Sequence, residues 1–191
     1  VTDLQDILAD LTSGDDARAE SAIPKIGELG NDAISALLDL TRSKDSDHRW
    51  WAVRALANSP QARTEDLTPL LDDSSPEVRA AAALALCAHP GESAAPALVK
   101  AMHDEDPLTA GLAGNALVAI GSPAVPALLE VMREAPLNVR IIALRALAEI
   151  RDHRAVKTMM EVLEKDDSAI LQYWAKEGLE RLGLNMVYVK P

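Results

Sequence analysis

Six stretches of this chain repeat one pattern at intervals of roughly 30 residues, and no other feature constrains its fold as strongly. RAESAIPKIG, HRWWAVRALA, VRAAAALALC, LAGNALVAIG, VRIIALRALA and LQYWAKEGLE align on a late apolar anchor: Ile26, Leu56, Leu86, Ile120, Leu147 and Leu179. Four residues before each anchor stands an alanine: Ala22, Ala52, Ala82, Ala116, Ala143 and Ala175. The residue just before the anchor is Lys25, Ala55, Ala85, Ala119, Ala146 or Gly178, small in all but the first. Positions i, i+3, i+4 and i+7 share one helix face, so this spacing predicts helices whose small face lets a neighbour approach closely.

A second set of segments alternates with the first. DAISALLDL, EDLTPLLDD, SAAPALVKAM, SPAVPALLEVM and HRAVKTMMEVL each carry an apolar pair: Leu37-Leu38, Leu70-Leu71, Leu98-Val99, Leu128-Leu129 and Met159-Met160. The opening TDLQDILADL sets Leu4, Ile7, Leu8 and Leu11 on one stripe. Ser122 reads as an N-cap with Pro123 at the first helical position, and Pro126 falls near the first turn, where a missing N–H costs least. DDSSPEV and HDEDPLT read as turns between the two sets. The expectation is an all-α, right-handed α-solenoid of about six helix pairs, a single domain over residues 1–183 with a tail at 184–191. A pair of helices cannot bury its apolar face alone, so stacking must supply the core. The tail's MVYV is β-like and is expected to cap the last repeat, fold back or dock as a strand.

Composition agrees and narrows the function. Hydrophobic residues are 48% of the chain but aromatics only 3%, with no Phe. The core must be built of Ala and Leu, which again means closely packed helices. The formal charge of −11 argues against nucleic acid and anionic membranes and favours a basic partner. A lone cysteine, Cys87, forms no internal disulfide, belongs to no Cys cluster, and is expected to be a buried, inert thiol. No apolar run is long enough to span a bilayer, and the acidic, amphipathic N-terminal stretch is unlike a signal peptide, so a cytoplasmic location is expected.

DDSSPEVRAAAALALCAH and PLNVRIIALRALAEI resemble the Asp-x-x-x-x-Val-Arg-x-x-Ala-x-x-x-Leu pattern of HEAT-like repeats of the phycobilisome-lyase (PBS lyase) type, and GSPAVPALLEVM resembles the partner helix. The resemblance runs from about Thr2 to Gly183. It implies an armadillo/HEAT-like solenoid with the Val-Arg helices on the concave layer and the Leu-Leu helices on the convex one. It also implies that the pattern's arginine, here Arg49, Arg79 and Arg140, bonds the turn acid of a neighbouring repeat as a structural ladder. Ala19, Ala113 and Gln172 depart from it.

At 100° per residue, the position six before each anchor points away from the core. That column reads Glu20, Trp50, Ala80, Gly114, Ile141 and Tyr173. Two before the anchor stand Pro24, Arg54, Leu84, Val118, Arg145 and Glu177. A partner-binding concave face is therefore expected from Trp50, Arg54, Leu84, Val118, Ile141, Arg145 and Tyr173. Trp51, Asn115 and Trp174 sit at side positions, where they either join that face or fill space between repeats. Exposed aromatic and apolar clusters with arginine are the usual make-up of protein-binding hot spots.

Catalytic and metal chemistry is not expected. His48, His89, His103 and His153 are isolated, and HDED at 103–106 reads as a solvated turn rather than a metal site. No His-Glu pairs of the di-iron HEAT hydroxylases occur, nor a nucleophile elbow or phosphate-binding glycine loop. The expected function is a non-catalytic scaffold without cofactor or metal, binding an apolar helical or extended segment of another protein. The alternative is a PBS-lyase-like subunit that handles a tetrapyrrole chromophore; a HEAT-like DNA glycosylase is disfavoured by charge.

Overall fold

The computed structural model describes residues 4–26 and 29–184. Their regular structure is helical throughout, in twelve α-helices that alternate between the two sets of segments. The odd-numbered ones are α1 (Leu4–Leu11), α3 (Asn31–Leu40), α5 (Thr64–Leu67), α7 (Ala95–Ala101), α9 (Val125–Glu134) and α11 (Val156–Lys165). The even-numbered ones are α2 (Asp16–Ile26), α4 (Ser46–Ala57), α6 (Pro76–Ala88), α8 (Pro107–Ile120), α10 (Leu137–Ile150) and α12 (Ala169–Arg181). They form two compact units, Val1–Ala94 and Ala95–Pro191, each with three helix pairs. In the first, α4 packs between α2 and α6, while α1 lies on α2, α3 on α4 and the α5 turn on α6. In the second, α10 packs between α8 and α12, with α7 on α8, α9 on α10 and α11 on α12.

Side-chain caps set the starts of α2, α4, α6 and α8, while α10 and α12 have none. Asp15 accepts from the N–H groups of Ala17 and Arg18, Asp45 from Asp47, Ser75 from Val78, and Asp106 from Leu108 and Thr109. Pro76 and Pro107 open α6 and α8, where no N–H is needed. Before α9 the arrangement differs from the expected one. Ser122 is not the cap but already part of a 3-10 turn, Ser122–Ala124, and Gly121 precedes it with φ 77°.

These caps also correct the register of the fourth repeat. Counting from Asp45, Ser75 and Asp106, the residue equivalent to Leu56 and Leu86 is Leu117, not Ile120. Leu117 is fully buried and Ile120 only half so. The slip has a plain origin, because alanine recurs every three residues at 110, 113, 116 and 119 and offers two registers. Helix exits agree with the correction. The residue four after each anchor is then Gly30, Pro60, Pro90, Gly121, Arg151 and Gly183, all of them helix-ending choices except Arg151. The four that are not proline all have positive φ. In the corrected register the alanine column reads Ala22, Ala52, Ala82, Ala113, Ala143 and Ala175, each with 0% of its surface exposed. Val118 leaves the two-before column and Asn115 enters it.

In the odd helices only one member of most apolar pairs is sealed. Leu37, Leu98, Leu128 and Met159 are fully buried, while Leu38, Val99, Leu129 and Met160 are half-exposed. After α12, the Leu184 N–H bonds the Leu179 carbonyl at 2.9 Å. The cap, fold-back or strand expected of MVYV lies outside the described residues.

Inside each unit an arginine ties consecutive repeats. Arg49 grips Asp73, in the turn before α6, through Nε to Oδ2 at 2.8 Å and Nη2 to Oδ1 at 2.7 Å. The pair is nearly sealed, with 11% and 9% of the two side chains exposed. Arg140 pairs with Asp166, before α12, through Nη2 to Oδ2, while its buried Nε makes no hydrogen bond. A second contact recurs beneath it. Arg49 Nη1 donates to the Ser43 carbonyl, Arg79 Nη1 to the Asp73 carbonyl and Gln172 Nε2 to the Asp166 carbonyl, each six residues back. Gln172 thus keeps the inward half of the arginine's work although it departs from the pattern.

Burial pushes the Asp73 carboxyl up, but the Arg49 hydrogen bonds and the Ser75 N–H outweigh it and hold Asp73 below the usual carboxylate range. Asp73→Ala strands a buried guanidinium and is expected to cost about 3 kcal/mol in urea denaturation. Folding favours ionised Asp73, so its contribution is complete above about pH 4 and is lost as pH falls through the folded-state value. The wild-type midpoint should therefore drop on acidification more steeply than that of Asp73→Ala. Arg151, at φ 58°, is the one positive-φ residue other than glycine among the described residues. Replacing it with glycine is expected to raise stability by about 1 kcal/mol in the same measurement.

Candidate functional site

The first unit holds a cleft of about 760 Å³ where α2, α4 and α6 begin. Its floor is Trp50, Trp51 and Arg54 from α4. The side-by-side tryptophans meet edge to face, with ring centroids 4.7 Å apart. Neighbouring residues differ by 100° on a helix, so the two rings take different surroundings. Trp51 is sealed, with 3% of its surface exposed, and Trp50 is half-buried. The Arg54 guanidinium lies 4.8 Å from the Trp50 ring centre and 5.4 Å from that of Trp51. Glu20 of α2 fixes its far end at 3.0 Å.

Carboxylates dominate the rim. Asp16 opens α2, Asp47 lies in the first turn of α4 and Glu77 in that of α6, and Glu20 stands one turn further along α2. Acids in a first helical turn offset the positive end of the helix dipole, which explains their position. Sequence reasoning missed this rim because Asp47 and Glu77 both stand nine residues before their anchors, a column it did not read.

The second unit presents an open face instead. Tyr173 is 58% exposed and meets Trp174 edge to face at 5.2 Å, with Trp174 half-buried. On α10, packed against α12, Ile141 and Ile142 are half-buried. Arg145 reaches back to α8, where Nη2 donates to Asn115 Oδ1 at 2.7 Å and to the Gly111 carbonyl at 3.4 Å. Arg54 makes the same backward reach to Glu20, so the two-before arginine touches the preceding even helix in both units. Of the remaining expected site residues, Leu84 is 57% exposed in the first unit, and in the second Val118 is half-buried and Asn115 exposed.

The histidines sit in separate local contacts. His48 Nδ1 lies 3.4 Å from Ser43 Oγ, His89 Nε2 2.9 Å from the Ala57 carbonyl, and His103 Nδ1 3.1 Å from the Val99 carbonyl. No cluster of three or more His, Cys, Asp or Glu that could hold a metal occurs among the described residues. Cys87, expected to be buried, is half-exposed; its thiol donates to the Ala83 carbonyl at 3.5 Å, and burial pushes its pKa up. Among the described residues no single helix is long and apolar enough to cross a membrane.

Comparison with known proteins places the repeats. The HEAT repeats model matches residues 64–137 and the PBS lyase HEAT-like repeat model residues 139–165. The bilin biosynthesis protein RpcF of Synechococcus sp. (strain WH8020) is 34% identical over 95 residues, 50% of this chain and 44% of that protein. The phycocyanobilin lyase subunit beta of Pseudanabaena tenuis (strain PCC 7409) is 35% identical over 88 residues, 46% of this chain and 31% of that protein. The match thus spans less than half the length of either relative. The archaeal HEAT-like repeats protein from Thermococcus onnurineus NA1 superimposes with a TM-score of 0.68 at 15% identity, covering 99% of this chain and 84% of that one. The complex of CpcE and CpcF of phycocyanin lyase from Nostoc sp. PCC7120 gives 0.55 at 23% identity, covering 96% and 78%.

Helix alternation, the buried alanine column and these likenesses define an all-α protein of the armadillo/HEAT solenoid class. The chain carries HEAT-like repeats, with residues 64–137 matching HEAT repeats and residues 139–165 the PBS lyase HEAT-like repeat. The expectation of a non-enzyme is corrected here, because relatives by sequence are named as lyase subunits and lyases are enzymes.

The tryptophan pair separates packing from surface. Trp51→Ala should cost about 3 to 5 kcal/mol in chemical denaturation, as for a large core residue. Trp50→Ala should cost less than half as much, because part of its ring already meets water.

Proposed function

We propose that the chain is a chromophore-handling subunit of the bilin-lyase type that works with a second protein. The observation that carries this reading is its sequence relationship to bilin lyase subunits, together with the PBS-lyase-type match at residues 139–165. That match includes Ile141 and Arg145 on α10, beside Tyr173 and Trp174 on α12. A bilin is a flat conjugated tetrapyrrole bearing propionate carboxylates. The open Tyr173 ring and Ile141 offer it apolar contact, and Arg145 offers a cation to a propionate. The acid-rimmed cleft of the first unit would repel those carboxylates, so the reading assigns the chromophore to the second unit. Trp50, Arg54 and Leu84 then serve the protein partner. The structure of CpcE with CpcF supports a two-protein arrangement. A cytoplasmic setting fits this reading, and neither nucleic acid nor a membrane has a part in it.

Phycocyanobilin titrated into the full chain is expected to change its visible absorbance on binding. Tyr173→Ala and Arg145→Gln should each weaken that response roughly tenfold, the loss of one hot-spot contact. A spectrum that stays the same at saturating protein would rule the reading out.

A further inference from the structure

The cleft of the first unit has an electrostatic character that a chromophore site does not account for. Four carboxylates, Asp16, Glu20, Asp47 and Glu77, surround it against one guanidinium, Arg54. Side-chain caps already satisfy first-turn N–H groups of the three helices: Asp15 serves α2, Asp45 serves α4 and Ser75 serves α6. Asp16 and Asp47 are exposed, which leaves their charge to act on whatever enters. Arg54 shows which chemistry the floor accepts. Its guanidinium lies against both tryptophan rings while a carboxylate holds it from the side. Aromatic face and carboxylate together favour a cation over an anion or a neutral group. At about 760 Å³ the cleft also has room for more than one side chain.

We propose that this cleft binds a basic segment of a partner protein, seating an arginine or lysine side chain over Trp50 between Asp47 and Glu20. The assignment rests on the reading that a second protein works with this chain, and it names the chemistry of that protein's docking segment. The incoming cation repeats the contact that Arg54 makes within the chain, and the carboxylate rim draws the segment in before it docks.

The test uses the full chain and a dye-labelled ten-residue peptide carrying four arginines, followed by fluorescence anisotropy. Neutralising the rim with Asp16→Asn, Glu20→Gln and Asp47→Asn together should weaken binding about tenfold. An equal change of net charge on α1 and α3, outside the cleft's lining, Asp6→Asn with Asp32→Asn and Asp39→Asn, should change it by less than about twofold at 0.15 M salt, where distant charges are screened. Trp50→Ala should also weaken binding, by roughly fivefold to tenfold. Equal losses in the two triple variants would mean general attraction to an acidic protein and would overturn the proposal. So would equal binding of an acidic or an apolar peptide of the same length. Competition between phycocyanobilin and the peptide would overturn it as well, by giving the cleft to the chromophore. A normal bilin response with no peptide binding defeats this inference alone, whereas peptide binding without any bilin response defeats the functional reading alone.

Discussion

Each even helix meets its neighbours across an alanine that has no exposed surface. This close approach is the constraint on which the rest of the architecture depends. A methyl group there lets backbones come near enough to seal Leu56 and Leu86 in the first unit, and Leu117 and Leu147 in the second, without aromatic bulk. A chain with no phenylalanine can therefore build a sealed interior. The same economy leaves the few large rings free for other positions. Among the described rings only Trp51 is spent fully on packing, while Trp50, Trp174 and Tyr173 keep part of their surface in water.

Close helices bring their turns together, and there the ionic contacts do their work. Arg49 and Arg140 bind an acid that itself holds the N-cap residue of the next even helix, through the Ser75 and Ser168 N–H groups. A single side chain thus sets the distance between repeats and the start of the following helix. The six-residue backward contact to a carbonyl is separable from that pairing. Gln172 keeps it without a charge, which explains why the last repeat tolerates the loss of arginine.

Much of the fold was legible because helical periodicity is a local property that burial merely enforces. The alternation of helix sets and the alanine column could be read from spacing, while the pairing of the arginines with a turn acid was implied by the resemblance. Two features were not. In α8 the alanines recur every three residues, so the sequence supports two registers, and only the Asp106 cap and the Gly121 exit choose between them. The acidic rim escaped because Asp16, Asp47 and Glu77 read singly as ordinary first-turn acids. Their meeting around one cleft depends on how helices pack, which no single segment encodes. Function was legible only through resemblance, since no catalytic motif stands in the sequence, and the relatives named as lyase subunits support the chromophore-handling alternative better than the plain scaffold.

The adjacent tryptophans have one further consequence. Indole emission depends on the polarity around the ring, and Trp50 and Trp51 meet very different surroundings within 4.7 Å of each other. The sealed ring reports on the integrity of the first unit, and the open ring reports on what fills the cleft. The molecule thereby carries an intrinsic optical gauge whose emission responds both to loss of structure and to arrival of a ligand.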